Sequence, residues 1–134
     1  MRLPVLADTG PLYAAVDRND QYHHRAQRDL SQLAASRLDI LIAYPTLFET
    51  YTLVLRRLGI HTSLGWLKEI RTGATLVAPT LDDYRAAGQK LEKYPDQSTP
   101  LYDALASVLA SRARIPVWTC DRHFDVMRSH VWRA

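Results

Sequence analysis

Residues 3–11 read LPVLADTGP. The first five of these residues form a continuous apolar run, which is typical of a strand buried on both faces of a parallel sheet. The run ends at Asp8, and Gly10 followed by Pro11 favours the start of a helix directly afterwards. The stretch therefore predicts a strand that passes into a helix, with a carboxylate at the junction.

Three more acids lie at similar junctions between apolar runs and segments of helical period. They are Glu49 in PTLFET (45–50), Asp103 in PLYDA (100–104) and Asp121 in VWTCDR (117–122). The apolar runs predict strands at 3–7, 40–43, 75–78 and 116–119, with a further edge strand at 131–133. The helical periods and caps predict helices at 11–17, 22–35, 46–58, 62–72, 80–94, 101–112 and 122–128.

Strands that alternate with helices predict an α/β fold, because each parallel strand needs a crossover connection. We expect a single domain over residues 1–134, with a mainly parallel central sheet of four to five strands flanked by helices in three layers, α/β/α. Ligands bind beyond the carboxyl ends of the strands in such sheets. The four acids can therefore share one edge of the sheet.

Four carboxylates gathered at one edge repel one another. An ionised pair about 5 Å apart costs roughly 3 kcal/mol at an effective dielectric constant of about 20. A divalent cation offsets this repulsion, and an all-oxygen site suits Mg²⁺ or Mn²⁺. The acids therefore indicate a metal-dependent enzyme that acts on phosphate, with a nuclease as the first hypothesis.

The composition is that of an ordinary globular protein with a modest basic excess. The formal net charge is +3 with a pI of about 9.2, and 14 of the 17 basic residues are arginine. The arginine fork matches phosphate oxygens, which favours a nucleic-acid partner, although a genomic base bias gives the same excess. The single cysteine, Cys120, excludes an internal disulfide. With no apolar stretch of membrane-spanning length and no signal-peptide pattern, we expect a cytoplasmic protein without a membrane partner.

The ordered acids resemble those of the PIN-domain ribonucleases, and in particular of the small VapC-type toxins. The motifs that carry the resemblance are DTGPL (8–12), Glu49, Asp103-Ala104 and TCDRHF (119–124). The resemblance implies a Mg²⁺ or Mn²⁺ site that hydrolyses RNA phosphodiesters, with catalytic roles for Asp8, Glu49, Asp103 and Asp121. It also implies a cognate antitoxin protein and a homodimer, and it gives Thr119 a hydroxyl in the water or metal shell.

Within this resemblance, we expect Asp8 and Asp103 to be the direct metal ligands. Asp121 completes the site directly or through water, and Glu49 is a second ligand or positions the attacking water. Asp125 is an alternative to Asp121 as the fourth acid. The glycine at position 10 departs from the family pattern, which often has Asn or Ser there, so a role for Gly10 is in doubt.

Other interpretations stay open for these residues. Each acid, taken alone, also fits a helix cap or a turn residue. A non-catalytic module that binds RNA or a protein on the same fold is the main alternative function, and a DNA nuclease or phosphatase is a third.

The surroundings of the acids are less determined by the sequence. Tyr13 and Tyr102 fit either base stacking or core packing. Arg56 and Arg57 follow Glu49 by two turns of the predicted helix, and the sequence leaves open whether their side chains point toward the acids or away from them. Several cations near the last two acids are candidates for phosphate contacts, namely Arg112, Arg114, Arg122, His123 and Arg128. Seven acids in turns and polar helix faces are expected to be solvated, namely Asp17, Asp20, Asp29, Asp39, Asp82, Asp83 and Asp96.

Overall fold

The computed structural model describes residues 4–96, 98, 100–120 and 129–133. Its sheet has four strands in the order β3-β2-β1-β4, and every neighbouring pair is parallel. The strands are β1 Pro4–Ala7, β2 Asp39–Ala43, β3 Thr75–Val77 and β4 Val117–Trp118. The parallel α/β sheet predicted from the apolar runs is confirmed.

Six helices connect these strands within the described residues. They are α1 Thr9–Ala14, α2 His23–Ala35, α3 Tyr44–Leu58, α4 Ile60–Gly73, α5 Leu81–Glu92 and α6 Leu101–Ala113. Each differs from its predicted range by a few residues at its ends, as expected for fraying helix termini. The predicted helix at 122–128 lies outside the described residues.

Two caps show why particular helices begin and end where they do. Thr80 accepts a hydrogen bond from the backbone of Asp83, whose carboxylate accepts one from the backbone of Thr80, so α5 begins with a capping box. Gly59 separates α3 from α4 with a φ of 92°, a conformation that glycine adopts without strain. Both positions were predicted as helix boundaries from the sequence.

The two faces of the sheet bury separate apolar cores. Leu6 and Val117 pack with helices α5 and α6, whereas Val5 and Trp118 pack with helices α1 to α4. Successive side chains of a strand point to opposite faces, which accounts for this alternation. The three-layer α/β/α arrangement is therefore confirmed.

The last described strand lies beside the first one in the sheet. Leu6 is in register with Val117 and Ala7 with Trp118, and the backbone N–H of Asp8 donates to the carbonyl of Trp118 over 2.9 Å. The edge strand predicted at 131–133 is present as an isolated parallel bridge between Val131 and Val117. The pairing of β1 with β4 sets the residues that follow both strands next to each other.

Several predictions about single side chains are wrong. The helical period of residues 101–112 predicts that Leu101 faces the core with Leu105 and Leu109, but Leu101 is 56% exposed. Asp29 and Asp83 were expected to be solvated, but both are buried because each has a partner remote in sequence, Trp118 and Arg112 respectively. Over the described part of the chain, the helices are too short or too polar to cross a membrane.

Candidate active site

A cleft of about 740 Å³ opens at the carboxyl edge of the sheet. Three of the four predicted acids line it, namely Asp8, Glu49 and Asp103. They come from the end of β1, from α3 and from the first turn of α6. The fourth, Asp121, lies outside the described residues together with its alternative Asp125, so the predicted roles of both stay predictions.

Asp8 is held in place by the two strands that meet at this edge. Its side chain is buried, and its backbone adopts an extended conformation at the position before α1. The Thr119 hydroxyl donates to Oδ2 of Asp8 over 2.9 Å, and Thr119 is itself buried. A charge-assisted hydrogen bond of this kind fixes the orientation of the carboxylate toward the cleft.

Glu49 lies in the second turn of α3 rather than in the first, because α3 begins at Tyr44 with Pro45 in its first turn. The hydroxyl of Thr9 donates a hydrogen bond to Oε1 of Glu49. Thr50 in turn donates toward Thr9 over 3.3 Å. The sequence did not single out these threonines, although both lie next to a predicted acid.

Tyr102 connects the three acids electrostatically. Its pKa is raised well above the ordinary value, first by a hydrogen bond to Glu49 and then by burial and by the charges of Glu49, Asp103 and Asp8. Its hydroxyl therefore remains a donor to Glu49 throughout the physiological range. Tyr102 lines the same cleft as these three carboxylates.

The donor chemistry of this space suits a hard divalent cation. Carboxylate and hydroxyl oxygens are the ligands that Mg²⁺ and Mn²⁺ prefer. Within residues 4–96, 98, 100–120 and 129–133, however, no three His, Cys, Asp or Glu side chains already converge as a metal-ligand group. Glu49 is engaged by Thr9 and Tyr102. The direct ligand roles of Asp8 and Asp103 stay predictions.

Two further residues line the cleft. Asp20, which was expected to be solvated, is partly exposed on the cleft wall, and its Oδ1 accepts from the backbone N–H of Tyr22 over 2.8 Å. Arg57 lines the cleft from α3 and lies over the ring of Tyr13, 5.1 Å from its centroid. The sequence left the direction of Arg57 open because helical position alone does not determine the rotamer of a long side chain.

The position of Cys120 just after an apolar run predicts a buried thiol at a strand end. The structure leaves it partly exposed on the cleft wall, and burial raises its thiol pKa. A Cβ atom on Gly10 would lie 3.8 Å from Cβ of Cys120, an ordinary contact. The cleft therefore does not sterically require glycine at position 10.

One predicted phosphate contact has a structural partner instead. Nη1 of Arg112 lies 2.6 Å from Oδ1 of the buried Asp83. Arg112 therefore ties α6 to the capping box of α5.

The chain matches the family model described as PIN domain over residues 5–129. A comparison with curated proteins finds no match. The fold is similar to that of VapC20, a sarcin–ricin loop cleaving toxin of Mycobacterium tuberculosis, with a TM-score of 0.84 and 23% identity over 97% of this chain and 99% of that one.

Two further solved structures share the fold. VapBC2 from Rickettsia felis, solved bound to a DNA fragment from their promoter, gives a TM-score of 0.74 at 14% identity, covering 98% of each chain. FitAcB from Neisseria gonorrhoeae gives 0.68 at 14% identity, covering 96% of each chain. Since the family model spans residues 5–129, nearly the whole sequence, the chain belongs to the PIN domain family.

Proposed function

We propose that this protein is a metal-dependent endoribonuclease, the VapC-type toxin of a toxin–antitoxin pair, acting as one domain over the whole chain. The observation that carries the proposal is the meeting of Asp8, Glu49 and Asp103 on one cleft at the carboxyl edge of the sheet. The similarity of the fold to the VapC20 toxin supports it.

Asp8 and Asp103 would hold the ion, since both carboxylates are buried at the base of the site. A bound Mg²⁺ or Mn²⁺ ion would neutralise the acids and the substrate phosphate and lower the pKa of water. Thr119 keeps Asp8 oriented, and Asp121 completes the acid set in this proposal.

Glu49 is suited to positioning the attacking water. Its carboxylate lies on the cleft wall and is oriented by the hydroxyls of Thr9 and Tyr102. Such an acid can accept a proton from water while its orientation stays constant. Removing one of its two hydroxyl donors should therefore lower the turnover rate more than the affinity for RNA.

A cognate antitoxin and a homodimer belong to the same proposal. The fold similarity to VapBC2 and FitAcB supports an antitoxin partner. Helices α3 and α4 also carry exposed apolar side chains that suit protein contacts, among them Phe48 and Leu64 at 69% and 52% exposure.

The test is cleavage of total RNA by purified protein with Mn²⁺, with EDTA, and with Asp8→Asn or Asp103→Asn. We expect discrete fragments from the wild type with Mn²⁺ only, and a loss of at least 100-fold in each variant. Asp82→Asn is the matched control, because the Asp82 side chain is 90% exposed on α5. Cleavage that survives EDTA or Asp8→Asn would reject the metal-dependent mechanism. RNA binding without cleavage by the wild type with Mn²⁺ would instead favour the non-catalytic binding module.

A further inference from the structure

The cleft has a basic end that its acids do not account for. Among the described residues that line it, Arg57 is the one with a positive charge. Arg57 therefore brings a positive charge to the end of the cleft away from Asp8, Glu49 and Asp103, where it also interacts with the carboxylate of Asp17.

Helix α3 sets the distance between Arg57 and the acids. Glu49, Leu53 and Arg57 follow one another at intervals of four residues and all line the cleft. With a rise of 1.5 Å per residue, Arg57 lies about 12 Å along the helix axis from Glu49. The guanidinium of Arg57, held over the ring of Tyr13, is thus placed to contact a phosphate further along the strand than the one that the acids would cut.

The guanidinium of Arg57 is held in place by an aromatic ring. It lies over the buried ring of Tyr13, 5.1 Å from the ring centroid. The hydroxyl of Tyr13 donates to Oδ2 of Asp17 over 2.5 Å, which anchors the ring. A stacked guanidinium keeps donors at its edge for a planar anion such as phosphate.

We infer that Arg57 and Tyr13 form a binding site for an RNA phosphate that flanks the scissile bond. This inference rests on the proposed ribonuclease function and adds a substrate subsite to it. Arg57 is a positioning residue here, since it contacts the strand away from the reacting atoms. An RNA occupant is favoured over a protein because the subsite is continuous with the acids that would cut the strand.

Arg56 supplies a matched control for the test. It carries the same charge in the same turn of α3 and is also exposed, but it does not line the cleft. Arg57→Ala and Arg56→Ala therefore change the net charge equally. Arg57→Lys keeps the charge and removes the planar fork.

Binding of a fluorescein-labelled single-stranded RNA of about 20 nucleotides and mixed sequence is measured by anisotropy with Ca²⁺ across a range of salt concentrations. We expect Arg57→Ala to weaken binding about 10-fold and to reduce the slope of log K against log salt by about 0.7, the value for one phosphate. Arg56→Ala should stay within about twofold, and Arg57→Lys should fall between them. In cleavage assays, Arg57→Ala should raise KM and leave kcat unchanged.

The possible failures are distinguishable. A wild type that cuts RNA while Arg57→Ala and Arg56→Ala bind alike would overturn the phosphate site and leave the nuclease intact. If Arg57→Ala weakens the binding of an antitoxin protein but leaves RNA binding unchanged, the phosphate site is likewise overturned and the nuclease is not. A wild type that neither binds nor cuts RNA would overturn both proposals.

Discussion

Thr119 and Asp8, the residues that follow β4 and β1, are joined by a 2.9 Å hydrogen bond from hydroxyl to carboxylate. The bond spans the pair of strands that closes the site, and both side chains are buried. Thr119 thus orients Asp8, a proposed metal ligand, through a hydrogen bond to one of its two carboxylate oxygens. Such supporting contacts commonly contribute 10–100-fold to metal affinity or activity.

Replacing the hydroxyl by a methyl group tests this role. We expect Thr119→Val to lower Mn²⁺ affinity and RNA cleavage by about 10-fold or more, because the Asp8 carboxylate loses the donor that fixes its orientation. Calorimetric Mn²⁺ titration and initial cleavage rates measure the two effects. Thr119→Ser keeps the hydroxyl and should recover most of both, and equal behaviour of the two variants would contradict the orienting role.

Metal binding should stabilise the wild type and not the variant without Asp8. At a Mn²⁺ concentration of about 100 Kd, one site adds about 2.7 kcal/mol to the free energy of unfolding. For a domain of this size, this corresponds to a rise in Tm of roughly 10 °C. In Asp8→Asn the rise should vanish, while the metal-free variant should unfold no earlier than the wild type because one repulsive charge is gone. Thermal scans with Mn²⁺ and with EDTA measure both quantities.

The raised pKa of Tyr102 predicts how its hydroxyl titrates. In the folded protein, Glu49, burial and the nearby acids keep this phenol protonated above pH 10, where an unfolded tyrosine ionises. The folded state therefore binds more protons than the unfolded state above pH 10, and stability should fall as the pH rises from there. Ultraviolet titration of the wild type minus Tyr102→Phe should show a tyrosine that ionises above the ordinary range. A difference curve centred at pH 10 would contradict the hydrogen bond to Glu49.

Asp29 should contribute to stability rather than to catalysis. Its Oδ2 accepts a hydrogen bond from the indole N–H of Trp118 over 3.0 Å in the buried layer beneath the site. Asp29→Ala leaves this N–H without that partner and should cost about 1–3 kcal/mol in urea unfolding. Asp82→Ala removes an exposed carboxylate whose ion pair with Arg85 contributes little, and it serves as the control. An equal effect of the two substitutions would contradict the structural role of Asp29.

The sheet and the meeting of the acids were predictable because both depend on local patterns. Apolar runs identify the buried parallel strands, and a residue directly after such a strand must lie at its carboxyl edge. The position of Asp8 at the carboxyl edge could therefore be predicted without knowledge of any contact remote in sequence. The structure places Glu49 further into its helix than predicted, because α3 begins at Tyr44 and not at residue 46. Helix starts are harder to predict than the helices themselves.

The errors concern side chains whose partners are remote in sequence. Asp29 and Trp118 are 89 residues apart, so neither residue shows locally that the other will bury it. Asp83 shows its cap in the sequence but not its ion pair with Arg112. The direction of Arg57 likewise depends on the ring of Tyr13, which only the packing of α1 against α3 brings within 5.1 Å.

The position of β4 at the far end of the chain has a consequence for the order of events during synthesis. Translation delivers Asp8, Glu49 and Asp103 to the cell before Thr119 and the strand that precedes it exist. The neighbour that β1 needs on one side leaves the ribosome only after all six described helices have been made. In the proposed function, a nascent chain that lacks β4 is therefore expected not to cut RNA, because Asp8 does not yet have the Thr119 hydroxyl that orients it.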